Sequence, residues 1–252
     1  MEKILIIDTE TIGLEKCFMY DLGYIIAQYS EEEGIYKSVL KRQFIIDQVY
    51  SNRMLFQTSY YAKKRPLYTA LLKGRTARIK KLGHALQVMK ADLERYDVSL
   101  GGAFNSPFDT RVFKFNTDFN GINNPIEHIE IVDIMGIAGI IHKTEDYIKF
   151  CEDNGYYGTS GFIKTNAEIT FRYITKDNDF IESHTALHDS EIELDILNYA
   201  LLSGAVLEQT KKAYVEMLEP LQTLTIKKNG KPYTFKYRTR KNRKGGVIDL
   251  ET

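Results

Sequence analysis

The first regular segment of the chain, residues 3–10, begins with four consecutive apolar side chains, Ile4, Leu5, Ile6 and Ile7, and ends in Asp8, Thr9 and Glu10. A run this short and this rich in β-branched residues predicts a strand buried on both faces. Residues 24–29 and 36–46 predict two more strands. Glu31, Glu32, Glu33 and Gly34 form a polar connection between them that suits an antiparallel hairpin. From 76 to 96 the apolar positions Ile79, Leu82, Leu86, Met89 and Leu93 fall three or four apart, the spacing of an amphipathic helix. A short strand containing Gly101 and Gly102 is expected at 98–104. Ser106 then reads as a helix cap, with Pro107 at the first helical position. Residues 129–132 are strand-like, and 133–154 should contain a helix. Thr165 and Glu168 fit a capping box for a helix running through Ile174. A longer helical pattern covers 187–217, with a break expected at Gly204. Strands in a meander followed by strands alternating with helices predict an α/β fold built on a mixed sheet flanked by helices.

Composition adds limits. The chain has 252 residues, 43% hydrophobic and 27% charged, which fits a folded domain rather than a disordered or fibrous protein. No apolar run reaches the roughly 18 residues of a membrane span, and Glu2 followed at once by a strand leaves no place for a signal peptide. The expectation is a cytoplasmic protein with no membrane partner. Cys17 and Cys151 lack metal-binding spacing and read as free thiols.

The 34 basic and 34 acidic residues cancel, and a neutral chain at face value argues against a nucleic-acid partner. The distribution removes that argument. Residues 225–252 hold nine Lys or Arg against Asp249 and Glu251, a net +7, so the remainder carries −7. A two-part organisation follows, with a main domain at 1–218 and a basic extension at 219–252. Asn229 and Gly230 predict a hairpin turn in the extension, and Pro232 suggests an edge position for its second arm. Tyr233, Phe235 and Tyr237 alternate with Lys236, Arg238 and Arg240, a pattern suited either to stacking bases and neutralising phosphates or simply to a solvated end.

The candidate chemistry lies at the ends of elements. Asp8 and Glu10, two apart on a strand, project from one face. Two unit charges about 4 Å apart at an effective dielectric near 20 repel by roughly 4 kcal/mol, so such a pair needs a cation or raised pKa values unless it merely ends the strand in water. Asp189 is in phase with Ile192, Ile196 and Tyr199 on a core-facing helical stripe, where a carboxylate needs a partner. Asp109 falls in the first turn of a predicted helix, where the helix dipole favours an acid. His184 lies near the entrance of the helix that carries Asp189. His188, adjacent to Asp189 in sequence, should project about 100 degrees away from it.

Three strings hold these residues in order: Ile7-Asp8-Thr9-Glu10-Thr11-Ile12-Gly13, Asn105-Ser106-Pro107-Phe108-Asp109 and His184-Thr185-Ala186-Leu187-His188-Asp189. Together they resemble the three motifs of the DEDDh family of 3′ to 5′ exonucleases. The resemblance implies a ribonuclease H-like fold over about 1–207 and leaves the basic extension uncovered. It implies that Asp8, Glu10, Asp109 and Asp189 hold two divalent ions, Mg²⁺ or Mn²⁺, with His184 as general base. It also implies that Thr11 and Ile12 contact the terminal nucleotide and that Asn105 and Phe108 line the same pocket. The expected activity is release of nucleoside 5′-monophosphates from DNA 3′ ends, single-stranded DNA above all. An exoribonuclease using the same residues, and an inactive nucleic-acid-binding module, are the alternatives. A protein partner such as a polymerase is left open by the sequence. Residues 49–75, rich in Tyr, Lys and Arg, and 154–165 exceed what a minimal enzyme of this type needs.

Overall fold

The computed structural model describes residues 2–159 and 161–207, together with three strands farther along the chain. Its main sheet has six strands: β1 (Lys3–Thr11), β2 (Met19–Ser30), β3 (Ile35–Ile46), β4 (Arg78–Lys80), β5 (Leu100–Ala103) and β6 (Glu130–Asp133). Three short helices, α1 (Asp47–Tyr50), α2 (Arg53–Phe56) and α3 (Arg65–Lys73), lie between β3 and β4. The helix α4 (Leu82–Tyr96) precedes β5, and α5 (Pro107–Asn120) follows it. After β6 come α6 (Ile134–Ile137), α7 (Gly139–His142), α8 (Glu145–Asn154), α9 (Ala167–Thr175) and α10 (Ala186–Leu202).

The strand order is β4-β3-β2-β1-β5-β6. Only β2 runs against its neighbours. It pairs antiparallel with β1 and β3, whereas β5 is parallel to β1, β6 to β5 and β4 to β3. β1 and β3, on either side of β2, are therefore each flanked by one antiparallel and one parallel neighbour, and β1 is the more central of the two, next to β5. Its side chains alternate between two cores, as expected for a strand covered on both faces. Leu5 and Ile7 pack with Leu86, Met89 and Leu93 of α4 and with Val112 and Phe113 of α5. Ile4 and Ile6 pack with Ile134 and Ile137 of α6 and with Ile192, Ile196 and Leu197 of α10. A third cluster joins Tyr20 of β2 and Ile45 of β3 to Phe56 and Tyr68 of the short helices.

Several elements differ from the pattern-based expectation. The helix anticipated from residue 76 starts at Leu82, because Arg78–Lys80 instead pairs with Phe44, Ile45 and Ile46 at the edge of the sheet. Ile79, three residues before Leu82, mimics the helical period but is 42% exposed on that strand. β2 starts five residues earlier than expected. Its first half contains Asp21 and Gly23, which look like turn residues yet pair with Glu10 and Asp8. Ser106 already has helical dihedral angles and makes no side-chain cap. Asn166, not Thr165, occupies the cap position of α9, and Glu168 bonds Arg172 one turn on at 2.7 Å instead of closing a box. The helix expected within 133–154 is three helices, α6 to α8. α10 ends at Leu202, followed by Gly204 at φ +90. The rest of the pattern expected to 217 lies beyond the last described residue of this segment.

In the basic extension, β7 (Gln222–Lys228), β8 (Lys231–Arg240) and β9 (Val247–Asp249) form an antiparallel sheet in the order β7-β8-β9. Lys228 pairs with Lys231, so two residues, Asn229 and Gly230, connect the strands; they lie outside the described residues. β8 is the central strand, not an edge. Pro232 is tolerated because β9 pairs only with Arg238, Thr239 and Arg240, leaving the other end of β8 paired on one side alone. Cys17 and Cys151 are free and buried. No described helix is long and apolar enough to cross a membrane.

α10 and β2 meet backbone to backbone at Gly23. A Cβ there would lie 2.1 Å from the Ala186 carbonyl carbon and 2.1 Å from the Leu187 nitrogen, both backbone atoms. The start of α10 thus rests directly on β2, next to Asp8 across the strand pair. Gly23→Ala is expected to push α10 off the sheet and to cost roughly 3 kcal/mol in urea unfolding. Unchanged stability in that variant contradicts the contact.

Candidate active site

β1 carries Asp8 and Glu10 on the face it shares with Ile4 and Ile6, the face covered by α10. α10 brings Asp189 in its first turn, 6% exposed. β5 runs parallel beside β1 and leads straight into α5, so the first turn of α5 delivers Asp109 to the same end of the sheet. Thr9, on the opposite face of β1, donates its hydroxyl to Asp109 Oδ1 at 2.7 Å and fixes that carboxylate. Glu10, His184 and Asp189 each offer a ligand atom within 4.8 Å of the others.

The acids act on one another. Burial first, then the charges of Asp109, Asp189, Glu193 and Glu10, hold the Asp8 carboxyl well above the ordinary carboxylate range. Burial, Asp189 and Asp21 do the same to Glu10, against an opposing pull from Lys64. Asp109 is pushed up to about 7, chiefly by burial and against the Thr9 hydrogen bond. Three oxygens of this cluster, Asp8 Oδ2, Asp189 Oδ1 and Glu193 Oε2, are shielded from solvent and make no hydrogen bond. Buried carboxylate oxygens left in this condition are costly unless protonated or ligated. Hard oxygen donors with an imidazole at their rim suit a divalent cation such as Mg²⁺ or Mn²⁺, so the residues present fit such an ion.

His184 precedes α10 in a left-handed backbone conformation, φ 49, uncommon for a non-glycine residue. The segment between β3 and β4 holds it there. Tyr61 stacks on the imidazole with centroids 4.5 Å apart and planes 17° off parallel. Tyr68 donates its hydroxyl to the His184 carbonyl at 3.3 Å, and Lys64 donates to the Ser183 carbonyl at 2.6 Å. His184 Nδ1 lies 3.5 Å from Glu182 Oε2. Burial, helped by Lys64, lowers the imidazole pKa, while Asp189 and Glu168 pull the other way. His188 is closer to the site than its helical angle implies: its Nδ1 is 3.7 Å from Asp189 Oδ1 and 3.0 Å from Ser183 Oγ. The ring folds back along the helix onto its sequence neighbour. Asp189 accordingly raises its pKa.

The four residues suggested for nucleotide contact divide. Thr11 is buried and donates to the Gly13 carbonyl at 3.0 Å, shaping the turn after β1. Ile12 packs against the cluster of Tyr20 and Phe56. Phe108 packs against the core beneath α5 with the Arg111 guanidinium 5.4 Å over its ring. Asn105, at φ 65, donates its backbone N–H to Asp133 Oδ1 at 2.9 Å and lines a cleft of about 570 Å³ with Phe104, Met135, Lys164 and Asn166.

No protein-family model matches the sequence, and a search of curated proteins finds no match. Among solved structures, the chain matches Escherichia coli exonuclease I over most of its own length at low sequence identity. Exonuclease I in complex with a dT13 oligonucleotide is 12% identical, with a TM-score of 0.49, covering 79% of this chain and 41% of that one. Its complex with a dA16 oligonucleotide is 12% identical, with a TM-score of 0.47, covering 86% and 43%. The chain thus spans less than half the length of exonuclease I.

Sequence reasoning passed over Glu193, Asp21 and Glu182. Glu193 is 3% exposed, one turn beyond Asp189 on the same stripe; burial, then Asp109, raise its pKa well above the ordinary range. The spacing of four was visible in the sequence. Asp21 accepts the Ala186 N–H at 3.0 Å, capping α10 from β2 where Thr185 makes no side-chain cap. Gln43 donates to both of its oxygens, at 3.1 and 2.9 Å, and burial pushes the acid up to about 7. Burial and then Asp189 push Glu182 up to about 8. Neither of these two stands out by spacing.

These shifts fix a sign. An acid whose pKa is higher folded than unfolded binds its proton more tightly in the folded state, so it stabilises the fold at low pH. That contribution is complete below the unfolded pKa of about 4 and is lost as the pH rises through the folded values. Those values are about 7 for Asp109 and Asp21 and about 8 for Glu182. In EDTA, urea unfolding should show stability falling from about pH 4 to pH 8, with Mg²⁺ or Mn²⁺ restoring it at the upper end. Stability that rises across that window contradicts the assignment.

Proposed function

We propose that this chain is a metal-dependent 3′ to 5′ exonuclease with a ribonuclease H-like fold, acting on single-stranded DNA ends and releasing nucleoside 5′-monophosphates. The observation that carries the reading is the meeting of Asp8, Glu10, Asp109 and Asp189, from β1, α5 and α10, at the end of one buried strand, with His184 beside them. Buried oxygens of Asp8, Asp189 and Glu193 that make no hydrogen bond, the one on Asp189 having only His188 Nδ1 at 3.7 Å, support a cation site rather than a set of strand-ending acids facing water. Asp8, Glu10, Asp109 and Asp189 would hold two divalent ions. When bound, such ions supply Lewis-acid stabilisation of the charge that develops on the attacked phosphate.

The protein's own groups account for the rest. His184 has its pKa lowered by burial, so the imidazole is neutral near pH 7 and able to accept a proton. It takes that proton from a water whose oxygen bonds to phosphorus. The bond from phosphorus to the 3′ oxygen of the preceding nucleotide breaks with its electron pair on that oxygen, which takes a proton from solvent, leaving a 5′-monophosphate and a strand shortened by one nucleotide with a 3′ hydroxyl. Tyr61 and Tyr68 keep the ring and its backbone in place throughout.

The test is a time course on 5′-labelled DNA and RNA oligonucleotides, single- and double-stranded, with Mg²⁺, Mn²⁺ or EDTA. Shortening of single-stranded DNA from the 3′ end, stopped by EDTA, is expected. Asp8→Asn and Asp189→Ala should each lower the rate by about 10³-fold or more while the chain stays folded by circular dichroism. Full metal-dependent activity in either variant removes the assignment, and faster shortening of RNA transfers it to an exoribonuclease.

A further inference from the structure

Residues 48–91 contain no Asp or Glu, while the first 34 of them, 48–81, hold nine Lys or Arg. This segment carries α2, α3, β4 and all of α1 except Asp47. Arg53, Lys63, Lys73, Arg75, Arg78 and Lys81 are exposed. Among the described residues, none of the nine forms an ion pair; of the exposed lysines elsewhere, some do, Lys41 with Glu191, Lys114 with Asp118 and Lys149 with Asp153, and some, such as Lys16 and Lys143, do not. An unneutralised cationic stretch invites a polyanion.

Its aromatic residues narrow the choice of polyanion. Tyr60 is 86% exposed. It meets Tyr61 edge to face at 4.9 Å, and Tyr61 stacks on His184. The three rings run from the surface to the proposed catalytic base. Exposed aromatic faces beside cations suit unpaired bases and their phosphates; a duplex keeps its base faces stacked and offers none to Tyr60.

We propose that residues 53–81 form the docking surface for the single-stranded DNA leading into the active site. Tyr60 stacks a base, and the exposed cations Lys63, Lys73, Arg75, Arg78 and Lys81 neutralise the phosphates. The proposal rests on the nuclease reading for its occupant. Its physical need is local: a phosphate backbone must approach a cluster of acids, and this segment adjoins that cluster through Tyr61 and Lys64.

The experiment measures binding in EDTA, so that it does not depend on hydrolysis. Fluorescence anisotropy follows a labelled dT strand of about 20 nucleotides across a salt series. Replacing Lys73, Arg75, Arg78 and Lys81 together by Ala should weaken binding at least tenfold near 0.1 M salt. The slope of log K against log salt should shrink by about 3, since each single-strand phosphate contact contributes about 0.7. Tyr60→Ala should weaken binding about fivefold or more, with Tyr60→Phe restoring it. A double Lys114→Ala, Lys149→Ala variant serves as the control on paired lysines and should bind like the parent. Unchanged affinity and slope in the fourfold variant overturn the proposal, and tighter binding of the matching RNA strand overturns the choice of DNA. Variant-sensitive binding in a protein with no hydrolytic activity keeps the surface and removes the nuclease reading. Hydrolysis with variant-insensitive binding does the reverse.

Discussion

Acidic side chains are packed against one another at the buried end of β1, and most of the local architecture answers to that crowding. Asp8, Glu10, Asp109, Asp189 and Glu193 come from three elements into a space that water barely reaches. Ionised together in a low-dielectric setting, they would drive those elements apart. The surrounding structure supplies partial relief in particular places. Thr9 gives Asp109 a hydroxyl, Lys64 lends Glu10 a positive charge, and Asp21 is held by Gln43 and the first N–H of α10. The relief is incomplete, and the remaining oxygens point to protons or a cation as the missing partner.

Backbone geometry makes the crowding possible. α10 can bring Asp189 to β1 only by lying directly on β2, and Gly23 is the position that lets the two backbones approach so closely. Asp109 arrives because β5 is parallel to β1 and ends at the same edge of the sheet. One glycine and one strand direction therefore decide whether four acids meet. Neither contributes a functional group. Both belong to the site in the sense that moving either disperses it.

What the sequence revealed and what it concealed divide along the same line. Ile4 to Ile7 read correctly as a doubly buried strand because four apolar residues in a row have few other homes in a folded chain. Asp109 could be placed in a first helical turn because Pro107 marks such a start locally, and Asp189 on a buried helical stripe because the 3.6-residue period is local too. Positions defined by distant partners were not legible. β4 became a strand because the free edge of β3 was available to it, and the spacing of Ile79 from Leu82 gave a helical signal with no helix behind it. Asp21 reads as a polar interruption until α10 is seen to need its carboxylate. Tyr61 and Lys64 belong to a segment that looked like surplus length, and only the fold brings them to His184.

The charge balance of the chain takes a different form once the fold is known. Dividing it into an acidic body and a basic extension explains zero net charge but not how an anion would reach an acidic site. At about 0.15 M salt, fields between exposed charges fade over roughly 8 Å, so the charges that matter to a phosphate at the mouth of the site are those beside it. The relevant opposition is local. Glu10 and Asp189 lie inside, while unpaired lysines and arginines line the segment whose tyrosine stacks on His184. On the proposed reading this arrangement separates two tasks by depth: the outer cations would hold the strand, and the inner acids would hold divalent ions beside its last phosphate. A neutral total is what such a layered arrangement leaves when the layers are summed.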